Sequence, residues 1–146
     1  MIVYLDASAL VKRYIAEAGS AAVAEVIRGA TVVGTAILSR VEVAAAIAKG
    51  ARMKLFSRQQ GATALRVFNS EWDDLVRLQM THVLVSRATT LAWDHNLRGY
   101  DAMHLASALF WQDMLGEPVT VATFDRQLWE SASATGLVPW PTGQFG

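Results

Sequence analysis

Short apolar segments alternate with helix-like segments along most of the chain, and this alternation constrains the fold more than any other feature. Ile2–Leu5 and Val119–Ala122 are brief apolar runs of strand type that lead into helical patterns. Strands that alternate with helices favour a parallel sheet with helices on its faces. We therefore predict an α/β fold. The predicted strands are Ile2–Leu5, Thr31–Val33, His82–Val85, Val119–Ala122 and Leu137–Val138.

The helical segments are separated by glycine and proline residues. Apolar residues spaced by three and four predict one long helix over Ser57–Leu78, and Trp72 and Trp93 fall in apolar patterns typical of buried helix faces. Pro139 and Pro141 predict the end of regular structure. We expect one domain over residues 1–138 and a tail over 139–146. The predicted helices are Ala7–Glu17, Ser20–Arg28, Leu38–Lys49, Ser57–Leu78, Arg87–Leu97, Ala102–Leu115 and Arg126–Ala134.

Composition excludes several classes of protein. The 146 residues include no cysteine, which removes disulfides, thiolate metal sites and a cysteine nucleophile from consideration. No run of about 18 apolar residues is present, so we expect no membrane span. The N-terminal apolar stretch has no basic region before it and is interrupted by Asp6, unlike a signal peptide. A cytoplasmic location is expected.

Four acidic residues stand in apolar or helix-start surroundings: Asp6, Glu42, Asp101 and Asp125. Each has a plain structural explanation, because acids cap helices and Ser39 with Glu42 matches a capping box. Capping does not explain why Asp6 and Asp125 both follow strands of one parallel sheet. Ligands bind beyond the carboxyl ends of such strands. The four acids together therefore indicate a shared pocket.

Carboxylates held close together repel one another, and a divalent cation relieves that repulsion. Oxygen ligands without cysteine or an evident histidine set select a hard ion, Mg²⁺ or Mn²⁺. Magnesium held by a few carboxylates commonly meets substrate phosphate. Metal-assisted hydrolysis of a phosphodiester is the chemistry that this arrangement favours.

Four sequence blocks contain the four acids: "YLDASALVKRY" with Asp6, "SRVEVAAAIAK" with Glu42, "RGYDAMHLASAL" with Asp101, and "VATFDRQLW" with Thr123 and Asp125. These blocks resemble the PIN domain family, and within it the VapC-type ribonuclease toxins of toxin–antitoxin pairs. The blocks occur in the family's order and cover roughly residues 2–138. The tail from Pro139 lies outside the pattern.

The resemblance implies a three-layer α/β/α sandwich around a mainly parallel sheet of four to five strands. It implies a Mg²⁺ site in which Asp6 and Asp101 are the firmest ligands, with Glu42 and Asp125 completing it directly or through water. Ser8 and Thr123 resemble supporting polar residues, although local turn or cap bonds explain them equally well. It further implies an RNA substrate, a cognate antitoxin protein and a homodimer.

Two other chemistries fit the sequence less well. A metal-free ribonuclease usually needs histidines as acid and base. Of the three histidines, His104 follows Asp101 by three residues in an otherwise apolar helix, and we predict that it packs inside the protein. An aspartyl-phosphate enzyme of the haloacid-dehalogenase type would need a second aspartate at position 8, which is Ser8.

The charge balance is compatible with binding of a nucleic acid. The formal net charge is zero, but without the four acids nine acidic residues face 13 basic ones. Some of these bases are candidates for a rim along phosphates, although any one is more simply a solvated surface residue. Two other readings stay open: a PIN-like module that only binds RNA or protein, and a PIN-like nuclease that acts on DNA. The rim candidates are Lys12, Arg13, Arg40, Lys49, Arg52, Lys54, Arg58, Arg98 and Arg126.

Overall fold

A computed structural model describes residues 1–143, and in it five parallel strands form one central sheet. The order across the sheet is β3-β2-β1-β4-β5, so the first strand lies at the centre. The predicted α/β fold with a parallel sheet of four to five strands is confirmed. Residues 144–146 of the predicted tail lie outside the described residues. The strands are β1 (Ile2–Leu5), β2 (Val32–Ala36), β3 (Val76–Leu78), β4 (Val119–Ala122) and β5 (Val138–Trp140).

Helices cover both faces of the sheet. Most of them match the predicted segments to within three residues. The first is shorter than predicted, because the α-helix ends at Leu10 and a 3-10 turn over Val11–Arg13 follows it. The helices are α1 (Ala7–Leu10), α2 (Ser20–Arg28), α3 (Ser39–Arg52), α4 (Arg58–Glu71), α5 (His82–His95), α6 (Gly99–Leu115) and α7 (Arg126–Ala134).

The predicted long helix over Ser57–Leu78 is wrong in its last third. Ser57 caps α4 in a capping box with Gln60, and the helix stops at Glu71. A 3-10 turn then leads into β3, which pairs along β2 from Gly34↔Val76 to Ala36↔Leu78. A strand of three residues is too short to produce a period-two pattern. Its apolar residues therefore continued the helical spacing, and the helix was predicted to extend over them.

The predicted strand over His82–Val85 is also wrong, because these residues begin α5. The Thr81 hydroxyl accepts a hydrogen bond from the amide of Leu84, which caps the helix. Leu84 and Ala88, one turn apart, are then buried in the core. Packing of this face outweighs the strand preference of the β-branched residues. Trp93 on the same helix is 85% exposed, contrary to the prediction, whereas Trp72 is buried as predicted.

Regular structure continues past Pro139, where the sequence predicted its end. Pro139 lies in β5 opposite Val121 of β4, and Thr123 donates its amide to the carbonyl of Trp140. Proline is tolerated here because β5 is an edge strand and needs no second ladder. The strand therefore extends two residues beyond position 138.

Alternate residues of β1 face two separate hydrophobic layers, as the period of a strand requires. Ile2 and Tyr4 pack against the layer containing α5, α6 and α7, while Val3 and Leu5 pack against α1, α3 and α4. All four side chains are buried, as is usual for parallel sheets covered on both faces. The predicted three-layer α/β/α arrangement is therefore confirmed.

A close approach between β2 and α6 requires a glycine. A β-carbon placed on Gly34 would lie 2.7 Å from Cη2 of Trp111, whose buried indole fills the space over the strand. Any side chain at position 34 would therefore displace the ring. Gly34 sets how near α6 lies to the sheet.

Within residues 1–143 no helix is both long and apolar enough to cross a membrane.

Candidate active site

The strand order places the candidate site at a topological switch point. From β1 the chain moves outward through β2 and β3, and it returns to the other side of β1 as β4. Crevices of this kind, beyond the carboxyl ends of the strands, bind ligands in open α/β sheets. Asp6 directly follows β1, and Thr123 directly follows β4. The two residues are brought together by the pairing of Leu5 with Ala122.

Asp6 caps α1 and also takes part in a polar cluster. Its Oδ1 accepts hydrogen bonds from the amide of Ala9 at 3.0 Å and from the hydroxyl of Ser8 at 2.7 Å. Its Oδ2 accepts a hydrogen bond from the hydroxyl of Thr123 at 2.6 Å. Only 3% of the residue is exposed. The capping reading is therefore correct for Asp6 but incomplete.

Ser8 and Thr123 connect the two strand ends. Thr123 Oγ1 accepts a hydrogen bond from the amide of Asp125 at 3.0 Å, and Ser8 Oγ accepts one from the amide of Phe124 at 2.9 Å. Each hydroxyl thus donates to Asp6 and accepts from the loop after β4. Both residues orient Asp6 rather than bond only within a local turn.

Glu42 lies in the first turn of α3, but it does not form the predicted capping box. The Ser39 hydroxyl is buried against that of Thr35 at 2.6 Å and caps nothing. Glu42 Oε1 instead lies 2.6 Å from Nε2 of His104, and Nδ1 of His104 lies 2.7 Å from the hydroxyl of Tyr4. The prediction that His104 is packed inside is confirmed, since 1% of it is exposed. Its contact with Glu42 was missed from the sequence.

Arg98 joins two of the predicted acids. Its Nε donates to Asp101 Oδ2 at 3.0 Å, and its Nη2 donates to Asp125 Oδ2 at 2.7 Å. Asp101 lies in the first turn of α6, and Asp125 caps α7 through the amide of Leu128. Sequence reasoning placed Arg98 only among the rim candidates. Its position three residues before Asp101 on one helix turn was the available signal.

We call the four carboxylates Asp6, Glu42, Asp101 and Asp125 the acidic edge. Burial raises the pKa of Asp6, and the His104 ring together with the hydrogen bonds from Thr123 and Ser8 lower it only in part. Burial also raises the pKa of Asp101, and the charges of Asp125 and Asp6 raise it further against the effect of Arg98. At Asp6 and Asp101 the surroundings therefore favour the protonated carboxyl more than water does.

The chemistry of these donors fits a hard divalent cation. All four are carboxylates. Asp6 is buried, and it accepts hydrogen bonds from two hydroxyl groups and one backbone amide. Within residues 1–143, no three His, Cys, Asp or Glu side chains are grouped so that they could hold a metal ion together. Carboxylate oxygens are nevertheless the ligands that a hard ion such as Mg²⁺ prefers, and Mg²⁺ usually keeps several waters.

Comparison with known proteins identifies the family of this chain. The family model described as PIN domain matches residues 3–132. Ribonuclease VapC45 of Mycobacterium tuberculosis is 37% identical over 136 residues, which cover 92% of this chain and 92% of the relative. The match to the family model spans the segments that carry all four acids.

Solved structures share the fold. PAE2754 from Pyrobaculum aerophilum superimposes with a TM-score of 0.66 at 21% identity, covering 95% of this chain and 83% of that one. A toxin–antitoxin complex from Klebsiella pneumoniae contains a chain with a TM-score of 0.67 at 14% identity, covering 93% of this chain and 95% of that one. The family model, the curated relative and the fold agree: the chain belongs to the PIN domain family, within the group of VapC-type ribonucleases.

Proposed function

We propose that this protein is a metal-dependent endoribonuclease that acts as the toxin of a toxin–antitoxin pair. The observation that carries the proposal is the acidic edge at the switch point of a PIN domain. Asp6, Asp101, Glu42 and Asp125 are the residues that we assign to Mg²⁺ or Mn²⁺ binding. Ser8 and Thr123 support the site through their hydrogen bonds to Asp6.

The site offers two partly exposed carboxylates as candidate bases. When bound, the ion would supply a water of lowered pKa and would stabilise charge on the phosphate oxygens. Glu42 and Asp125 keep 20% and 25% of their side chains exposed, so one of these two carboxylates accepts the proton that the attacking water releases. Attack at phosphorus breaks the bond to the 3′-oxygen. The products carry a 5′-phosphate and a 3′-hydroxyl, and the RNA 2′-hydroxyl takes no part.

The family assignment supports our proposals for the substrate and the partners. We propose RNA as the substrate, with the basic rim contacting its phosphates. We propose a cognate antitoxin as the protein partner, because VapC-type relatives and a toxin–antitoxin complex are similar to this chain. A homodimer and a cytoplasmic location complete the proposal.

Parallel assays on RNA and DNA test the activity. Purified protein is incubated with single-stranded RNA and DNA in Mg²⁺, in Mn²⁺ and in EDTA, and the product ends are determined. We expect RNA cleavage with 5′-phosphate ends in either metal and none in EDTA. Cleavage that persists in EDTA with cyclic-phosphate ends would contradict the mechanism. Cleavage of DNA alone would favour the DNA nuclease reading, and metal binding without cleavage would favour a binding module.

Expression in cells tests the toxin role. We expect this chain alone to arrest growth, and co-expression of a small protein encoded beside it to restore growth. Abundant, folded and metal-competent protein that leaves growth unaffected would count against a toxin.

A further inference from the structure

A chain of hydrogen-bonding groups runs from the centre of the sheet to the acidic edge. Tyr4 lies in the central strand with 0% exposure, and His104 lies in α6 with 1% exposure. The two distances along the chain are 2.7 Å from the Tyr4 hydroxyl to His104 Nδ1 and 2.6 Å from His104 Nε2 to Glu42 Oε1. Within residues 1–143 every buried side-chain nitrogen and oxygen has a hydrogen-bond partner, so the chain is complete.

The chemistry of the groups fixes the direction of the contact with Glu42. An ionised carboxylate only accepts hydrogen bonds, so Nε2 of His104 carries a hydrogen and donates to Glu42. The Tyr4 hydroxyl can either donate to Nδ1 or accept from it, so this contact holds the ring in either protonation state. The edge-to-face packing of the two rings leaves the histidine little freedom to turn.

We infer that His104 is a positioning residue whose ring, oriented by Tyr4, holds the Glu42 carboxylate in the orientation that the metal site needs. This inference rests on the proposed function. A glutamate near the start of a helix normally samples several rotamers. A metal ligand whose rotamer must be fixed during metal binding lowers the affinity for the metal. In this protein the contact with His104 fixes the Glu42 rotamer as soon as the protein folds. Neither His104 nor Tyr4 is among the residues that we assign to the metal.

The role differs from ordinary core packing in a measurable way. Packing alone would require a residue of suitable size at position 104, and stability would depend on it. A positioning residue requires a donor aimed at Glu42, and the metal affinity of the folded protein would depend on that donor. Supporting residues behind metal ligands typically change affinity or activity by ~10- to 100-fold when removed.

Four variants separate the two roles. His104→Leu removes the donor and keeps an apolar side chain, and His104→Gln restores an N–H toward Glu42. Tyr4→Phe removes only the hydroxyl that fixes the ring. Tyr14→Phe is the matched control, because the Tyr14 hydroxyl donates to Glu71 at 2.9 Å, outside the acidic edge. Each protein is titrated with Mn²⁺ by calorimetry well below its melting temperature, and kcat and KM are measured for RNA cleavage.

We expect His104→Leu to weaken Mn²⁺ binding ~10- to 100-fold and to lower kcat with little change in KM. His104→Gln should recover most of the affinity, Tyr4→Phe should show a smaller loss, and Tyr14→Phe should match the wild type. If His104→Leu does not fold, His104→Gln and Tyr4→Phe still decide the question, because packing alone predicts wild-type affinity for Tyr4→Phe.

A double-mutant cycle shows whether His104 acts through Glu42. In a Glu42→Gln background, removal of the His104 side chain should have no further effect on Mn²⁺ affinity. An equal further loss would overturn the inference, as would a wild-type affinity in folded His104→Leu. In both cases a wild-type protein that binds Mn²⁺ and cleaves RNA would leave the proposed function standing. A wild-type protein that does neither would overturn both.

Discussion

The guanidinium of Arg98 lies 2.7 Å from Oδ2 of Asp125 and holds that carboxylate together with Asp101. A positive side chain thus stands between two carboxylates that we assign to metal binding. It supplies part of the charge that a divalent cation would supply, and a cation that binds these carboxylates must compete with it. The guanidinium carbon of Arg98 also lies 4.8 Å from the centre of the Tyr100 ring, a contact made together with those to the two acids.

Arg98→Met should separate these two effects. Without metal the variant should melt at a lower temperature than the wild type, because Asp101 and Asp125 lose their shared counter-charge. Added Mg²⁺ should raise its melting temperature more than it raises that of the wild type, since the ion no longer competes with the guanidinium. Arg87→Met is the control, because Arg87 pairs with Asp113 away from the acidic edge. An unchanged Mg²⁺ response in Arg98→Met would show that the guanidinium does not compete.

Two substitutions of Asp6 distinguish its cap from its charge. Asparagine keeps the oxygen that accepts from Ala9, so Asp6→Asn should melt no lower than the wild type in EDTA. It should lose most of the Mg²⁺-induced stabilisation, and cleavage should fall by ~100-fold or more, as when a preorganised charge-stabilising group is removed. Asp6→Ala should in addition lose about 1 kcal/mol of stability with the cap. Full activity of Asp6→Asn would reduce Asp6 to a helix cap.

The raised pKa values make the metal-free protein sensitive to pH in a defined direction. Burial raises the pKa of Asp6 in the folded state above its ordinary 3.8, so the folded protein binds more protons than the unfolded chain above that pH. The free energy of unfolding therefore falls as pH rises from about 3.8 through the folded-state pKa. Urea unfolding in EDTA across this range measures it. The wild type should lose stability relative to Asp6→Asn as pH rises, and a constant difference between them would contradict the shift.

The contact between Gly34 and Trp111 gives a test of the fold that is independent of the site. Gly34→Ala places a β-carbon 2.7 Å from the indole and should cost about 1–3 kcal/mol through overpacking. Gly29→Ala is the control, because the added carbon would meet only ordinary contacts at 3.6 Å or more. Its effect should stay within about 0.5 kcal/mol. Equal stability of the two variants in urea unfolding would show that α6 can move away from β2.

Sequence reasoning predicted the central strands because β1 and β4 are fully buried and therefore read as continuous apolar runs. It failed at β3, because a three-residue edge strand has no recognisable pattern. It also failed at the start of α5, because capping by Thr81 and burial of Leu84 outweigh the strand preference of these residues. Local preference is a weak guide where tertiary packing decides.

Some residues of the candidate site were easier to find from the sequence than others. Asp6 and Asp125 could be placed together because both follow parallel strands, whereas Glu42 and Asp101 stood out as acids at helix starts and gained their roles from the family resemblance. Tyr4 was hidden because a tyrosine in a buried strand reads as core. His104 carried a recognisable signal, since a polar side chain in an apolar helix needs a buried partner. Its partner, Glu42, lies 62 residues away and only the fold brings them together.

The hydrogen bond from Thr123 to Asp6 joins residues 117 positions apart in the chain. Asp6 follows β1 and Thr123 follows β4, so during translation the end of β1 waits for β4 before the acidic edge can assemble. A growing chain that has not yet released Asp125 from the ribosome carries Asp6 but no assembled edge. Cleavage therefore requires that synthesis has passed Asp125 and that β4 has paired with β1.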